Sequence, residues 1–135
     1  MRSNSSVINV YKKNNIKSEV VTQLLYGDTF KKIKKKGPWI KIKNDLDHYK
    51  GFIKNKKFPS NQKVTHKICK LYANLYLKPN LKSKIKKKIS FGSKIKIIEK
   101  KYNFYKFDNL WIKKKDLKKI DYKTKDIFKN INKFI

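Results

Sequence analysis

The chain has 135 residues, room for one ordinary domain or two very small ones. Lys and Arg number 38 against 9 acids, a formal charge of +29, and Arg2 is the only arginine. These figures, with the lack of any apolar run of about 18 residues, exclude a membrane-spanning helix. Met1 to Lys13 holds no apolar core of a signal peptide, and the single cysteine, Cys69, fits a reducing compartment. A cytoplasmic chain is expected. Cys69, His48 and His66 are too few for a zinc site. The four glycines, at 27, 37, 51 and 92, stand singly rather than in a phosphate loop. No cofactor or metal is therefore expected. The lysines will attract any polyanion at low salt, but a chain that reads bases would use the planar arginine fork.

Taken in chain order, the first half reads as short strands. Val20 to Tyr26 runs up to Gly27, where the backbone must bend. Phe30 to Lys34 alternates roughly, and Trp39-Ile40-Lys41-Ile42-Lys43 alternates cleanly. Gly37-Pro38 turns between them, and Tyr49 to Ile53 follows a polar loop. Phe58-Pro59-Ser60-Asn61-Gln62 is a polar, proline-bearing boundary.

The second half repeats the first. Shifting by 65 residues aligns Val10–Ile42 with Leu75–Phe107 without a gap, and 11 of the 33 pairs are identical. Six of those are lysines and carry little weight, but Tyr11/Tyr76, Asn15/Asn80, Ser18/Ser83 and Gly27/Gly92 are not. The apolar pairs Leu24/Ile89, Tyr26/Phe91, Phe30/Ile95 and Trp39/Phe104 keep the same phase. Beyond them the offset falls to 59, pairing Phe52 with Trp111 and Ile53 with Ile112. Lys84 to Phe91, Lys94 to Glu99, Phe104 to Phe107 and Leu110 to Ile112 supply the second set of strands, around Asn103 and the Asp108-Asn109 turn. Many short strands with turn residues between them predict small barrels. At the end, Ile127, Phe128, Ile131, Phe134 and Ile135 fall at helical spacing.

The stretch Ser18 to Phe30, with its Thr22-Gln23-Leu24-Leu25-Tyr26-Gly27-Asp28 block, followed by Trp39 to Ile42 and Tyr49-Lys50-Gly51-Phe52-Ile53, resembles a bacterial SH3 domain. In particular, it is similar to the first of two SH3 domains that precede the NlpC-type cysteine peptidase domain of bacterial dipeptidyl-peptidases. Ser90 to Ser93 and Trp111 to Leu117 resemble the second of those domains. The resemblance implies a mainly β chain: two SH3-like small β-barrels in tandem, over 1–60 and 65–120, with a short C-terminal α-helix over 121–135 leading toward a peptidase domain. It also implies a noncatalytic role in positioning or targeting cell-wall (murein) peptides, with a murein-derived peptide or the peptidase domain as partner. The family's nucleophile sits in an Asp-Cys-Ser context with histidines downstream. Cys69 lies in Lys67-Ile68-Cys69-Lys70-Leu71 with no histidine after it, so catalysis by this chain is not expected.

The resemblance makes Asp28 and Tyr49 candidates for a peptide's free ammonium, which a carboxylate and a phenol suit by charge pairing and hydrogen bonding. Against that, and in preference to it, Asp28 reads as a turn cap and Tyr49 as half-buried packing in the barrel. Trp39 is the third ligand candidate, although its pairing with Phe104, like that of Phe52 with Trp111, reads as core. His48 and His66 read as solvated loop residues. The lysine triplets at 34–36, 86–88 and 113–115 read as turn or edge positions that discourage pairing between chains. Two other functions remain open: a stand-alone binder of a cell-envelope polymer, and a basic protein holding nucleic acid nonspecifically.

Overall fold

The computed structural model describes residues 1–122, so the expected C-terminal helix lies outside the described residues. The fold is mainly β, and the chain divides into two compact units, Met1–Gln62 and Lys63–Ile135. No helix among the described residues is long and apolar enough to cross a membrane.

Unit 1 contains β1 (Val7–Tyr11), β2 (Val20–Leu25), β3 (Phe30–Lys36), β4 (Trp39–Asn44) and β5 (Lys50–Lys54). They form one antiparallel sheet in the order β2-β1-β5-β4-β3. The sheet is open, with β2 and β3 as its edges, and two closed tandem barrels are not what these sheets show. Alternation decides what is buried. Ile40 and Ile42 of β4 point to the same side as Ile53, Val10, Leu24 and Phe30, which make up the core. Gly51 lies where β5 passes β1. A Cβ there would stand 2.6 Å from the Tyr11 carbonyl oxygen and 2.6 Å from Val10 Cγ1, so this position admits no side chain.

Unit 2 contains β6 (His66–Ile68), β7 (Tyr72–Tyr76), β8 (Ile85–Ser90), β9 (Lys94–Ile95), β10 (Glu99–Lys101), β11 (Phe104–Phe107), β12 (Leu110–Lys113), a 3-10 turn at Lys114–Asp116 and β13 (Leu117–Lys119). Its larger sheet runs β10-β11-β12-β7-β8, and β13-β6-β9 form a second. With residues shifted by 65, and by 59 late in the repeat, the larger sheet has the strand order of unit 1 read backwards. Hydrogen bonds repeat as well. Ser18 Oγ accepts from Lys13 N–H at 2.9 Å, and Ser83 Oγ accepts from Lys78 N–H at 2.9 Å. Ser3 N–H donates to the Asp28 carbonyl at 2.9 Å, and Ile68 N–H to that of Ser93 at 3.0 Å. Gly27 and Gly92 turn at φ 87 and 92, the left-handed region that favours glycine.

The copies diverge where single residues change the local chemistry. The bulge of β3 between Lys32 and Lys34 becomes, in unit 2, the break between β9 and β10. The three-stranded sheet of unit 2 has only a trace in unit 1: an isolated bridge from Arg2 to Thr29, and Arg2 N–H donating to Pro59 at 3.1 Å. Pro59 has no N–H with which to continue a ladder. Strands β1, β6, β7 and β13 lie outside the strands read from sequence; in β6 and β13, three polar-flanked residues carry no periodicity. His66, expected in a loop, stands in β6.

The turn after each glycine yields a contrast. Asp28 Oδ2 accepts from Leu25 N–H at 2.8 Å, whereas its counterpart Ser93 is fully buried with its hydroxyl unpartnered. Asp28→Ala is expected to cost about 1–2 kcal/mol, while Ser93→Ala changes stability by less than about 0.5 kcal/mol or raises it, as read by chemical denaturation. Gly51→Ala is expected to destabilise by about 1–3 kcal/mol through overpacking against β1. A denaturation midpoint equal to that of the parent protein would contradict the close approach.

Candidate functional site

The three sequence candidates occupy different settings. Asp28 is 5% exposed, its carboxylate turned back onto its own turn. Trp39 is 6% exposed, and its ring meets Tyr11 edge-on at 5.9 Å with Lys54 Nζ 4.5 Å from its centroid. Because it shares a parity with Lys41 and Lys43, it is buried on the sheet face opposite Ile40 and Ile42. Tyr49, by contrast, is 58% exposed at the end of the β4–β5 loop. Trp39 and Tyr49 lie at opposite ends of the β4–β5 hairpin, since Trp39 pairs with Lys54 and Lys43 with Lys50. They do not form one site.

The loop that carries Tyr49 is built by its own polar residues. Asn44, buried at the end of β4, accepts from Leu46 N–H at 3.0 Å, and Asp47 Oδ1 accepts from Tyr49 N–H at 2.9 Å. Both are side-chain turns of the kind Asn and Asp favour. Asp47 Oδ2 also accepts from the Thr22 hydroxyl at 2.5 Å, tying the loop to β2. Asp45 Oδ2 accepts from the Thr29 hydroxyl at 2.6 Å, and Asp45 N–H donates to the Thr29 carbonyl at 3.1 Å. These contacts place Asp45, Asp47 and residue Tyr49 at one end of unit 1, beside Thr29 of the Asp28 turn. Two carboxylates thus accompany Tyr49, and neither was singled out from sequence. The signal was there: Asp45-Leu46-Asp47 is the densest acidic run in a chain with few acids.

Unit 2 has a recess of about 880 Å³ lined by Phe104, Tyr105, Leu117 and Tyr122 together with His66 and lysines of the 113–119 segment. Cys69 is buried against Phe91 and Tyr122, and burial pushes its thiol pKa up, which keeps it protonated at neutral pH. His66 packs edge-on against Tyr105 at 5.6 Å, and its Nδ1 shares a 2.8 Å hydrogen bond with the Thr65 hydroxyl. Each side chain is held by packing within unit 2, Cys69 against Phe91 and Tyr122 and His66 against Tyr105.

Burial lowers the His66 pKa below its usual 6.5, with Lys100 and Lys119 adding repulsion. Protonation therefore opposes folding. The unfolded chain takes up a proton near the ordinary histidine pKa, before the folded chain does. Unit 2 should lose stability as pH falls through 6.5 toward the folded value, and His66→Gln should flatten that part of the profile. Denaturation midpoints between about pH 7.5 and 5 check this; an unchanged slope in the variant would refute it.

Comparison with known proteins follows this geometry. Residues 5–58 match the family described as bacterial SH3 domain, which covers all five strands of the first sheet. No curated protein matches the chain. Among solved structures, the chain is similar to an NlpC/P60 family protein from Bacillus cereus, with a TM-score of 0.70 and 16% identity over 87% of this chain. It spans 55% of that protein's length. Unit 1 thus contains a bacterial SH3 domain, and the chain shares a fold with part of an NlpC/P60 family protein.

Proposed function

We propose that this chain is the noncatalytic, tandem SH3-like region of an NlpC-type cysteine peptidase acting on cell-wall peptides. The observation that carries the reading is the coincidence of the SH3 match over residues 5–58 with a fold likeness that extends over 87% of the chain. The repeated strand order and hydrogen bonds support a second SH3-like copy after the first. In this reading unit 1 provides a wall of the substrate cleft, and the loop end bearing Tyr49 meets the peptide's free amino terminus. The phenol offers a hydrogen-bond acceptor, and Asp45 and Asp47 supply negative charge that a cationic end group seeks. Asp28 serves the same end indirectly by fixing the turn beside the loop, and Trp39 steadies the sheet behind it. The chemistry of bond cleavage belongs to a nucleophile elsewhere.

A murein tripeptide with a free amino terminus is the probe. Chemical-shift mapping on the full chain should show perturbations centred on Tyr49 and residues 45–47. N-acetylation of the peptide, or Tyr49→Ala, should weaken binding by about tenfold or more, the value of one charge-assisted hydrogen bond. Equal binding of the free and acetylated peptides would overturn the assignment of this end of unit 1.

A further inference from the structure

The sheet face of unit 1 turned away from its core carries three rows of side chains, set by register. Lys31 lies opposite Lys43, and Lys43 opposite Lys50. Lys34 lies opposite Lys41, which lies opposite Phe52. Lys36 lies opposite Trp39, which lies opposite Lys54. Directly opposed side chains have Cβ atoms about 4.5–5.5 Å apart, and like charges so placed destabilise a sheet. Successive rows stand about 6.6 Å apart, within the screening length of about 8 Å at physiological salt. Strands β3, β4 and β5 contain no carboxylate. Asp45 in the adjoining loop reaches Lys31 at 3.9 Å.

The fold does not require this array. In unit 2 the positions of Lys34, Lys43 and Lys50 are taken by Glu99, Asp108 and Asn109, and Glu99 pairs across the strands with Lys106 at 3.9 Å. One architecture therefore carries both signs of charge in one copy and lysine alone in the other.

We propose that the β3–β4–β5 face of unit 1 binds a flexible phosphodiester polymer without bases, such as a polyol phosphate chain. Anionic groups repeated along such a chain relieve the repulsion within each row, and no base reading is asked of a face without arginine. The aromatic rings argue against single-stranded nucleic acid, which needs free ring faces for stacking. Trp39 is covered by Lys54, and Lys41 Nζ stands 5.9 Å from the centroid of Phe52. This inference does not rest on the peptide reading, because it uses a different surface and a different ligand.

The test compares two triple variants of the full chain that lose the same charge: Lys34→Gln/Lys43→Gln/Lys50→Gln in unit 1 and Lys96→Gln/Lys101→Gln/Lys113→Gln in unit 2. Binding to synthetic poly(glycerol phosphate) is measured at about 0.15 M salt, with an oligothymidylate of matched charge as the second arm. The unit 1 variant should bind the polymer about tenfold or more weakly, and the unit 2 variant should lose less than about threefold. The unit 1 variant should also melt no lower than the parent at low salt, since it sheds repulsion. Equal losses in both variants would show that net charge alone binds, and no loss in either would remove the face altogether. Oligothymidylate binding about tenfold tighter than the polymer, and lost in the unit 1 variant, would make nucleic acid the ligand and overturn the class proposed.

Discussion

In each unit a single residue pair joins two hairpin systems into one sheet: Tyr11 opposite Phe52 in the first, Tyr76 opposite Trp111 in the second. Without it, the β1–β2 hairpin and the β3–β5 meander would be small ribbons, neither able to bury a face alone. The pair is aromatic in both copies, and a third ring closes on it. Trp39 meets Tyr11 at 5.9 Å and Phe104 meets Tyr76 at 5.6 Å, both edge-on. Edge-on contacts of this kind add about 0.5–1.5 kcal/mol beyond the burial itself. On the other side of the sheet, Gly51 lets β5 come close enough to β1 for that pair to form. The core, the loop end and the lysine face all take their positions from this junction.

The two copies show what a common scaffold fixes and what it leaves free. The turn glycines, the Ser18 and Ser83 hydrogen bonds and the strand order recur. Charge on the outer face and the polar residue after each glycine do not. Residues held by backbone geometry or ring packing have few substitutes, whereas a strand tolerates many exposed side chains at little cost. The lysines of β3 stand at a sheet edge, where unpaired backbone groups would otherwise template association.

Much of the scaffold was legible from the residues because alternation and repetition are local signals. Strands β2, β4, β5 and β8 and both turn glycines stand where the pattern placed them. The burial of Trp39 was also legible, but its face was missed: tryptophan reads as core by type, while its parity with Lys41 and Lys43 assigns it to the other side. Strands β6 and β13 depend on backbone pairing between segments about 50 residues apart, and nothing in three residues announces such a partner. The loop end around Tyr49 was half legible. Tyr49 itself was singled out, but Asp45 and Asp47 join it through hydrogen bonds to Thr29 and Thr22, which only the folded chain brings near.

A chain whose two units share a strand order risks pairing a segment of one with the frame of the other while it folds, a failure typical of repeat proteins. Pro59 bears on that risk. Its counterpart, Lys118, sits in β13 and pairs with Lys67 in β6, in a ladder that uses the backbone N–H groups of both strands. Proline cannot donate there. The segment after β5 therefore makes a poor substitute for β13, and an exchanged arrangement would leave a carbonyl without its donor. The residue that limits the small sheet of unit 1 to a single bridge also helps each half of the chain find its own partner strands.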